Sequence, residues 1–438
     1  MTLLIISPDY ASHLYPLAAL GVPWLAAGHR VVVATGEATA DIVAEFGFER
    51  VDLRLSRGSN PGIIRAEEQV AGEDDALRGF FAATRRGMVE TLRFQAAARS
   101  SDLLWNPLEV ARAVNSVVDR VRPDHIIVDH LAFSARLALK SAGHRYADVV
   151  LGHPSALPVG TEVYGFPPSW PAAFHPEPAE LVELKDRCIQ VRENFTAQWN
   201  EALLTLDPSA LASTDAFAET GDVLLLNYPE ALHDLQRTAS LPAHAFLGSA
   251  VRPEQPDADV ENWLADDPAP IIYVSFGSFL SVRSDVLAVV AEALTSSPFR
   301  VAFATGSSNP AELGAVPESW LVRAFLPQVR LLGRCALAVT HGGNNSVTEA
   351  LTFGVPMVVL PFSTDQFAGA ASIVAAGVGE SFDPNTVTCA QLQSAIDRLL
   401  NPSENLRYTL DSVRQTLNDA TGATVAYAAI TATHVNVQ

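Results

Sequence analysis

Short apolar runs alternate along the chain with longer segments in which apolar positions recur at helical spacing. Such runs, bounded by turn residues, are typical of strands in a buried parallel sheet, and the longer segments are typical of helices that cover its faces. The pattern therefore predicts a doubly wound α/β architecture. In the first part of the chain the predicted strands are residues 3–7, 31–35, 125–129, 147–151 and 223–227, with helices at 14–27 and 131–142.

An acidic, proline-rich segment, residues 251–270, interrupts the alternation, which restarts after it. We therefore expect two domains joined by a linker. The predicted parts are an amino-terminal domain (1–250), the linker (251–270), a carboxyl-terminal domain (271–420) and a last segment (421–438) whose helix packs back on the first domain. In the second domain the predicted strands are 271–276, 301–304, 337–340 and 357–360, and the helices are 286–294, 346–353 and 366–376.

Two doubly wound domains imply a cleft between them. In such sheets ligands bind beyond the carboxyl ends of the strands, so the residues that follow each predicted strand are the candidates for chemistry. Residues 57–75 contain glycine and charge without clear periodicity, and we expect them to form a loop or a mobile lid.

The charge balance narrows the possible partners. The chain has 29 Lys and Arg against 49 Asp and Glu, a formal net charge of −20, which would repel nucleic acid and anionic membranes. The three cysteines lie far apart and show neither a disulfide framework nor a zinc spacing. The first apolar run, residues 3–6, is too short for a secretion signal or a membrane span, so we expect a cytoplasmic protein, either a monomer or a homodimer.

The strongest motif begins with His341 at the end of a predicted strand and continues through Gly342 and Gly343 into a predicted helix. The free N–H groups and the positive end of that helix would form an anion site. His341 and the side chains of Asn345 and Ser346 would add hydrogen-bond donors. An alternative interpretation is that Ser346 and Glu349 form a capping box, because their spacing fits that motif.

Three weaker motifs lie near it in sequence. Asp365 and Gln366 follow the predicted strand 357–360, where a carboxylate and a carboxamide suit sugar hydroxyls, although Asp365 could simply cap the next helix. The ring of Phe325 could stack on a nucleobase while Gln328 binds a ribose hydroxyl. Ser278 lies in a turn after the strand 271–276 and could contact a phosphate.

In the amino-terminal half, His13 follows the first predicted strand and opens the first helix. A neutral imidazole at this place is suited to accept a proton near neutral pH, although a histidine is more often structural. Aromatic residues that could line an apolar part of the cleft, or simply belong to the core, are Phe80, Phe81, Phe94, Trp105, Phe133 and Trp170.

The motifs that contain Phe325, His341, Glu349 and Asp365 follow one another in this order along the chain. Together they resemble the donor-binding signature of the family 1 UDP-glycosyltransferases. The resemblance implies a GT-B fold, in which two Rossmann-like domains face each other across a cleft. It also implies a nucleotide-sugar donor, UDP- or dTDP-linked, and a small lipophilic acceptor with a hydroxyl group. The implied donor contacts are Ser278, Phe325, Gln328, His341, Gly343, Asn345, Ser346, Glu349, Asp365 and Gln366.

The same resemblance implies that His13 is the general base and that Asp129, at the end of strand 125–129, orients it. The reaction would invert the configuration at the anomeric carbon, and relatives in antibiotic biosynthesis suggest a natural-product acceptor. The family often has Trp where this chain has Phe325, so the choice between UDP and dTDP stays open. No metal or other cofactor is expected, since the Asp-x-Asp pair of Asp257 and Asp259 falls in the proline-rich linker.

Two alternatives belong to other classes of protein. A nicotinamide-dependent dehydrogenase would also have doubly wound domains, but the first predicted strand is not followed by the glycine-rich turn that such enzymes need. A catalytically inactive helper with the same fold is the other, and the presence of both His13 and Asp129 argues against it.

Overall fold

The computed structural model describes residues 1–60, 73–295 and 297–435. Most of the segment expected to form a loop or a mobile lid, residues 61–72, lies outside this described part, as do the last three residues of the chain. The last residues of that segment, 73–75, are helical and begin α3, so the expectation is wrong there. The described residues form two parallel sheets, each covered by helices, which confirms the predicted doubly wound α/β class.

The first sheet has the strand order β3-β2-β1-β4-β5-β6-β7, and every neighbouring pair is parallel. Its strands are β1 (Thr2–Ile6), β2 (Arg30–Thr35), β3 (Glu49–Asp52), β4 (His125–Asp129), β5 (Ala147–Val150), β6 (Val223–Leu226) and β7 (His244–Phe246). The accompanying helices are α1 (Ala11–Ala26), α2 (Ala40–Glu45), α3 (Glu73–Thr84), α4 (Met88–Asp102), α5 (Pro107–Val121), α6 (Phe133–Ser141), α7 (Pro178–Leu206) and α8 (Leu235–Ser240).

The second sheet has the order β10-β9-β8-β11-β12-β13 and is also parallel throughout. Its strands are β8 (Ile271–Ser275), β9 (Arg300–Ala304), β10 (Leu321–Arg323), β11 (Cys335–Thr340), β12 (Met357–Val359) and β13 (Gly379–Ser381). Helix α9 (Ala258–Asp266) precedes this sheet. The helices that follow its first strand are α10 (Gly277–Leu280), α11 (Ser284–Thr295), α12 (Gln328–Leu332), α13 (Asn344–Thr352), α14 (Gln366–Ala375), α15 (Cys389–Leu400) and α16 (Glu404–Asp419), and α17 (Gly422–Val435) comes after them.

The strand order brings the candidate residues together. In the first sheet β1 pairs with β4 in register from Leu3 with His125 to Ile6 with Val128, so the turns that follow these two strands are neighbours. In the second sheet β8 and β11 are paired up to Ser275 with Thr340. Because parallel strands end at the same edge of a sheet, each sheet presents its candidates at one edge.

The segment predicted as a linker, residues 251–270, is partly helical. It contains α9, whose Val260 and Leu264 are buried in the core of the second domain. Asp257 caps this helix by accepting hydrogen bonds from the backbone N–H groups of Asp259 and Val260, 3.0 Å each. The acidic composition thus reflects a capped helix start as well as a connection.

The last helix, α17, packs against α1 of the first domain, and its Ala426 and Ile430 are buried in the core that contains Leu14 and Trp24. The chain therefore passes between the domains twice. At the second passage, Gly422 lies against the first one so closely that a Cβ atom would stand 2.6 Å from the backbone oxygen of Ser249. Within the described residues, no helix is both long and apolar enough to cross a membrane.

Candidate active site

A cleft of about 860 Å³ lies between the two domains and is lined by both of them. Its walls include residues from the turns after β1, β8 and β11, together with residues from α4 and from the long connection between β5 and α7. The predicted site residues His13, Phe325, Gln328, His341, Gly343, Asn345, Ser346, Asp365 and Gln366 all line it.

His13 and Asp129 form a hydrogen-bonded pair at one wall of the cleft. The distance between Nδ1 of His13 and Oδ2 of Asp129 is 2.6 Å, and the carboxylate is 1% exposed while the imidazole is 27% exposed. The other carboxylate oxygen accepts the backbone N–H of Leu131 at 2.8 Å. Nδ1 of His13 donates this hydrogen bond, because a carboxylate can only accept. Nε2 of the neutral imidazole therefore keeps its lone pair.

The pKa of His13 reflects two opposing effects. Burial lowers this pKa, but the charge of Asp129, its hydrogen bond and a contribution from Asp365 raise it, so the net pKa lies above the ordinary histidine value. The imidazole is therefore a stronger base than an isolated histidine. It also stays protonated, and unable to accept a proton, up to a higher pH.

Two other residues near Asp129 in sequence serve different purposes. Asp124 accepts the backbone N–H of Thr2 at 2.6 Å, at the opposite end of the first strand. His130 is buried and bound through Nδ1 to Asp148 at 2.9 Å, and Asp148 also lies 3.4 Å from Arg136. Asp129 is thus the carboxylate that reaches His13.

The loop from β11 to α13 exposes the amino end of α13 to the cleft. Gly342 has a φ of +81°, and a Cβ on it would stand 2.7 Å from Val359, so the turn requires glycine. A Cβ on Gly343 would lie 2.4 Å from Nε2 of His341. Gly343 is the N-cap residue and no side chain caps the helix, which leaves its first N–H groups available to an anion.

The capping-box interpretation of Ser346 and Glu349 is therefore wrong. The helix begins two residues before Ser346, so Ser346 is the third helical residue and cannot be the N-cap. Its hydroxyl instead lies 3.4 Å from Oε1 of Gln328, and Nε2 of Gln328 donates to Glu349 at 2.5 Å. These three predicted donor contacts form one network.

His341 stands beside this helix end with an uncharged ring. The pKa of His341 is lowered to about 4. Burial causes this shift, and a hydrogen bond with the backbone of Ser275 opposes it more weakly. Its Nδ1 is buried and has no hydrogen-bond partner. Nε2 is the ring nitrogen at the helix start, because a Cβ atom on Gly343 would lie 2.4 Å from it.

Glu349 is 4% exposed, and its neighbour Arg252 was not predicted from the sequence. Burial raises the pKa of Glu349, while the charge of Arg252 and the hydrogen bond from Gln328 lower it. Arg252 also binds Glu254 at 3.2 Å and stacks its guanidinium 4.6 Å above the ring of Tyr15 in α1. Its position in a proline-rich segment concealed it, since nothing in the sequence links that segment to the cleft.

Phe325 follows β10 and exposes 62% of its surface at the rim of the cleft. An aromatic ring left in water beside a polar network is available for stacking. Ser278 belongs to α10, next to this wall, and its side chain lies outside the described residues.

Asp365 and Gln366 lie where β12 leads into α14. Asp365 precedes the helix but does not cap it. Its Oδ2 accepts the backbone N–H of His153 at 2.6 Å, across the cleft, and its Oδ1 accepts the hydroxyl of Thr364 at 2.9 Å. Oε1 of Gln366 accepts the N–H groups of Phe362 and Ser363, so only the amide nitrogen end of this side chain remains for a ligand.

Two asparagines at the start of α13 also cross the cleft. Asn344 donates from Nδ2 to the backbone oxygens of Leu151 and Asn227, 2.7 Å each. Asn345 donates from Nδ2 to the backbone oxygen of Ser12 at 2.8 Å. The interdomain role of Asn344 has no sequence signature, because it depends on backbone oxygens 193 and 117 residues away.

The described residues contain no group of three or more His, Cys, Asp or Glu side chains that could hold a metal ion. Asp257 and Asp259, the Asp-x-Asp pair, face Arg323 instead, which donates to Asp257 at 3.2 Å and to Asp259 at 2.8 Å. The pair thus serves a helix start and a salt bridge.

The remaining wall of the cleft is lined mainly by apolar side chains. Phe80 lines it, as the sequence suggested, and Phe133 is 2% exposed in a core cluster. Leu131, Tyr164, Phe166 and Pro167 complete this wall. Tyr164 and Phe166 were not singled out, since they come from an irregular connection without periodicity.

Comparison with known proteins agrees with this geometry. A family model described as UDP-glucoronosyl and UDP-glucosyl transferase matches residues 232–413. Demethyllactenocin mycarosyltransferase of Streptomyces fradiae is 28% identical over 431 residues, which cover 95% of this chain and 83% of that protein. This chain is similar to family 1 glycosyltransferases. NDP-glycosyltransferase YjiC of Bacillus subtilis (strain 168) is 24% identical over 441 residues, covering 97% of this chain and 95% of that protein.

Solved structures show the fold of this chain. The glycotransferase of kitacinnamycin has a TM-score of 0.68 at 20% identity, covering 99% of this chain and 98% of that one. Glycosyltransferase VinC in complex with DTDP has a TM-score of 0.66 at 18% identity, covering 99% and 100%. The expected GT-B fold is confirmed, and the relatives are named glycosyltransferases, which argues against the alternative of a nicotinamide-dependent dehydrogenase.

Proposed function

We propose that this protein is a family 1 glycosyltransferase that transfers a hexose from a UDP- or dTDP-linked donor to a hydroxyl group of a small, lipophilic natural product. His13 acts as the general base, and the configuration at the anomeric carbon is inverted. The observation that carries the proposal is the 2.6 Å contact between His13 and Asp129, which lies in the same cleft as the uncapped end of α13.

The donor half of the proposal rests on the second domain. The first N–H groups of α13 and the imidazole of His341, which lines the cleft, bind the diphosphate, and the positive end of the helix offsets the charge of the leaving group. Glu349, held by Gln328, binds the ribose hydroxyls. Asp365 binds sugar hydroxyls, because each carboxylate oxygen can accept a further hydrogen bond. No metal ion is required in this scheme.

The acceptor half rests on the first domain. With its Nδ1 proton bound by Asp129, His13 accepts the proton of the acceptor hydroxyl at Nε2. The hydroxyl oxygen attacks the anomeric carbon on the face opposite the diphosphate, so an α-linked donor gives a β-glycoside. The imidazolium that forms is stabilised by the buried carboxylate. The names of relatives from natural-product biosynthesis support the acceptor class.

The decisive experiment incubates the purified protein with UDP-glucose or dTDP-glucose, an aromatic alcohol and EDTA. We expect glycoside formation that mass spectrometry detects. In the proton NMR spectrum of the product, a large coupling constant of the anomeric proton would report the β-linkage. An α-glycoside would refute inversion, and a requirement for added metal would refute the metal-free scheme. A protein that forms no glycoside alone, but activates a second transferase, would be the inactive helper instead.

A further inference from the structure

The acceptor side of the cleft contains two polar side chains that the proposed mechanism does not use. Gln95 and Arg99 lie one helical turn apart on α4, and both line the cleft beside Tyr164, Gly165 and Phe166. Residues four apart lie on the same face of a helix, so the two side chains act on the same region.

Packing holds Arg99 in place. Its guanidinium carbon lies 5.1 Å from the centre of the Tyr164 ring. On the other side is Gly165, with a φ of +86°, where a Cβ would stand 3.1 Å from Nη1 of Arg99. The glycine therefore satisfies a left-handed backbone and also leaves room for the guanidinium. Such a stacked arginine is far less free than one in open solvent.

Arg99 has no carboxylate partner among the described side chains, unlike its neighbour Arg93 on the same helix. Arg93 binds Glu90 and Glu183, at 2.7 Å each. Cys188 lies near Arg99, but burial raises the pKa of this thiol to about 11, so it carries no compensating charge at neutral pH. The carboxylate of the described lining, Asp365, is already bound to His153 and Thr364.

Gln95 adds a second donor. Its Oε1 accepts the backbone N–H of Thr364 at 3.1 Å, which fixes the amide orientation, because only the oxygen can accept. The amide NH2 group then points away from that contact and has no partner among the described residues. The wall thus offers donors and a positive charge to the cleft without a matching acceptor.

We propose that the acceptor carries an acidic group, a carboxylate, which Arg99 and Gln95 bind while His13 activates a hydroxyl elsewhere on the same molecule. This inference rests on the proposed function and specifies its acceptor class. A chain with a net charge of −20 repels anions at long range, so an acidic acceptor needs a local cation. A guanidinium gives a carboxylate two parallel hydrogen bonds, which fix its orientation.

The test compares 6-hydroxy-2-naphthoic acid with the matching carboxamide, 6-hydroxy-2-naphthamide. These probes share the naphthol hydroxyl and differ in charge, and their fluorescence reports binding to the full-length protein without turnover. We expect the acid to bind about tenfold more tightly than the amide, the gain of one charge-assisted hydrogen bond. Arg99→Gln should remove this preference, and Arg99→Lys should restore part of it, since lysine keeps the charge but not the fork.

Arg93→Gln is the matched control, because it removes an arginine from the same helix that already has acidic partners, and it should leave the preference unchanged. UDP and dTDP affinity should be unaffected by Arg99→Gln. Equal binding of acid and amide, binding of neither, or a preference that survives Arg99→Gln would each overturn the proposal. If the acid is preferred but neither probe is glycosylated and no nucleotide binds, the anion site stands and the proposed transferase chemistry fails.

Discussion

Asn345 donates a hydrogen bond from its side-chain amide across the cleft to the backbone oxygen of Ser12, the residue before the proposed base. A side chain expected to contact the donor phosphates therefore also contacts the opposite domain. Donor binding must exchange or share this contact. Asn344, beside it, holds two backbone oxygens of the first domain.

Replacing these two asparagines should separate their roles. Asn344→Ala leaves two part-buried backbone oxygens without this donor, and an acceptor that loses its partner away from water costs about 1–3 kcal/mol. Asn345→Ala leaves one oxygen at an exposed contact, where water can replace the amide. We expect Asn344→Ala to lower the melting temperature more than Asn345→Ala in calorimetry without ligand. Asn345→Ala should instead weaken the binding of UDP or dTDP. The opposite ranking in both measurements would contradict this division.

The pair of His13 and Asp129 predicts a loss of turnover without a loss of donor binding. His13→Ala removes the base, and we expect turnover to fall by about 10²–10⁴-fold while the dissociation constant of the nucleotide stays the same. Asp129→Asn should also reduce turnover, because an amide no longer holds the imidazole in the required tautomer. Unchanged turnover in His13→Ala would remove this residue from the mechanism.

The same pair predicts the direction of a pH shift. Because Asp129 raises the pKa of His13, the rate should fall on the acid side at a pH above the ordinary histidine value, as the imidazole becomes protonated. In Asp129→Asn the charge is gone, so the pKa of His13 should drop and the acid limb of the kcat profile should move to lower pH. An unmoved limb would show that another group titrates.

Arg252 should matter through the charge of Glu349. Burial raises the pKa of this carboxyl and Arg252 opposes that effect, so removing the arginine should raise the pKa further. We expect nucleotide affinity in Arg252→Gln to weaken as pH falls, beginning at a higher pH than in the wild type, with Arg252→Lys behaving nearly as wild type. Titration calorimetry between pH 5 and 8 measures both, and identical profiles would argue against this coupling.

Phe325 should contribute to nucleotide affinity by stacking. Phe325→Ala removes the ring, and base–aromatic stacking is worth about 1–3 kcal/mol, so the dissociation constant for UDP or dTDP should rise by about 5- to 150-fold. Phe325→Trp should keep or improve binding. Tyr408→Ala is the control, since that ring is 75% exposed on α16 and does not line the cleft. An equal effect of both alanine variants would exclude stacking.

Much of the fold was predictable because its strands are short apolar runs that recur with a regular rhythm. The strand 125–129 was predicted with the bounds that the structure gives, and its five residues are all buried. Helix α7 was missed, although it has 29 residues, because its apolar positions are sparse among charged ones. Strands β7, β10 and β13 were also missed, because each has three residues that are mostly only partly buried and so form no apolar run. Strand β12 is as short, but its three residues are all buried, and it was predicted.

The candidate site was predictable where a motif is local and not where it depends on the other domain. Gly342, Gly343 and His341 lie next to one another in sequence, so their turn could be inferred directly. Arg252 and Asn344 act on residues that are distant along the chain, and Arg99 acquires its place from Tyr164 and Gly165 in an irregular connection. Pairings of this kind arise from tertiary packing alone.

The two passages of the chain between the domains touch each other where Gly422 lies against the backbone of Leu247 and Ser249, and where Gly248 faces Leu417. Two covalent connections that meet at one place work as a single pivot. We therefore expect any relative motion of the domains to be a rotation about this point rather than a separation. A side chain added at Gly422 or Gly248 would obstruct rotation about this point. We expect such a substitution to slow ligand entry and release before it changes the rate of the chemical step.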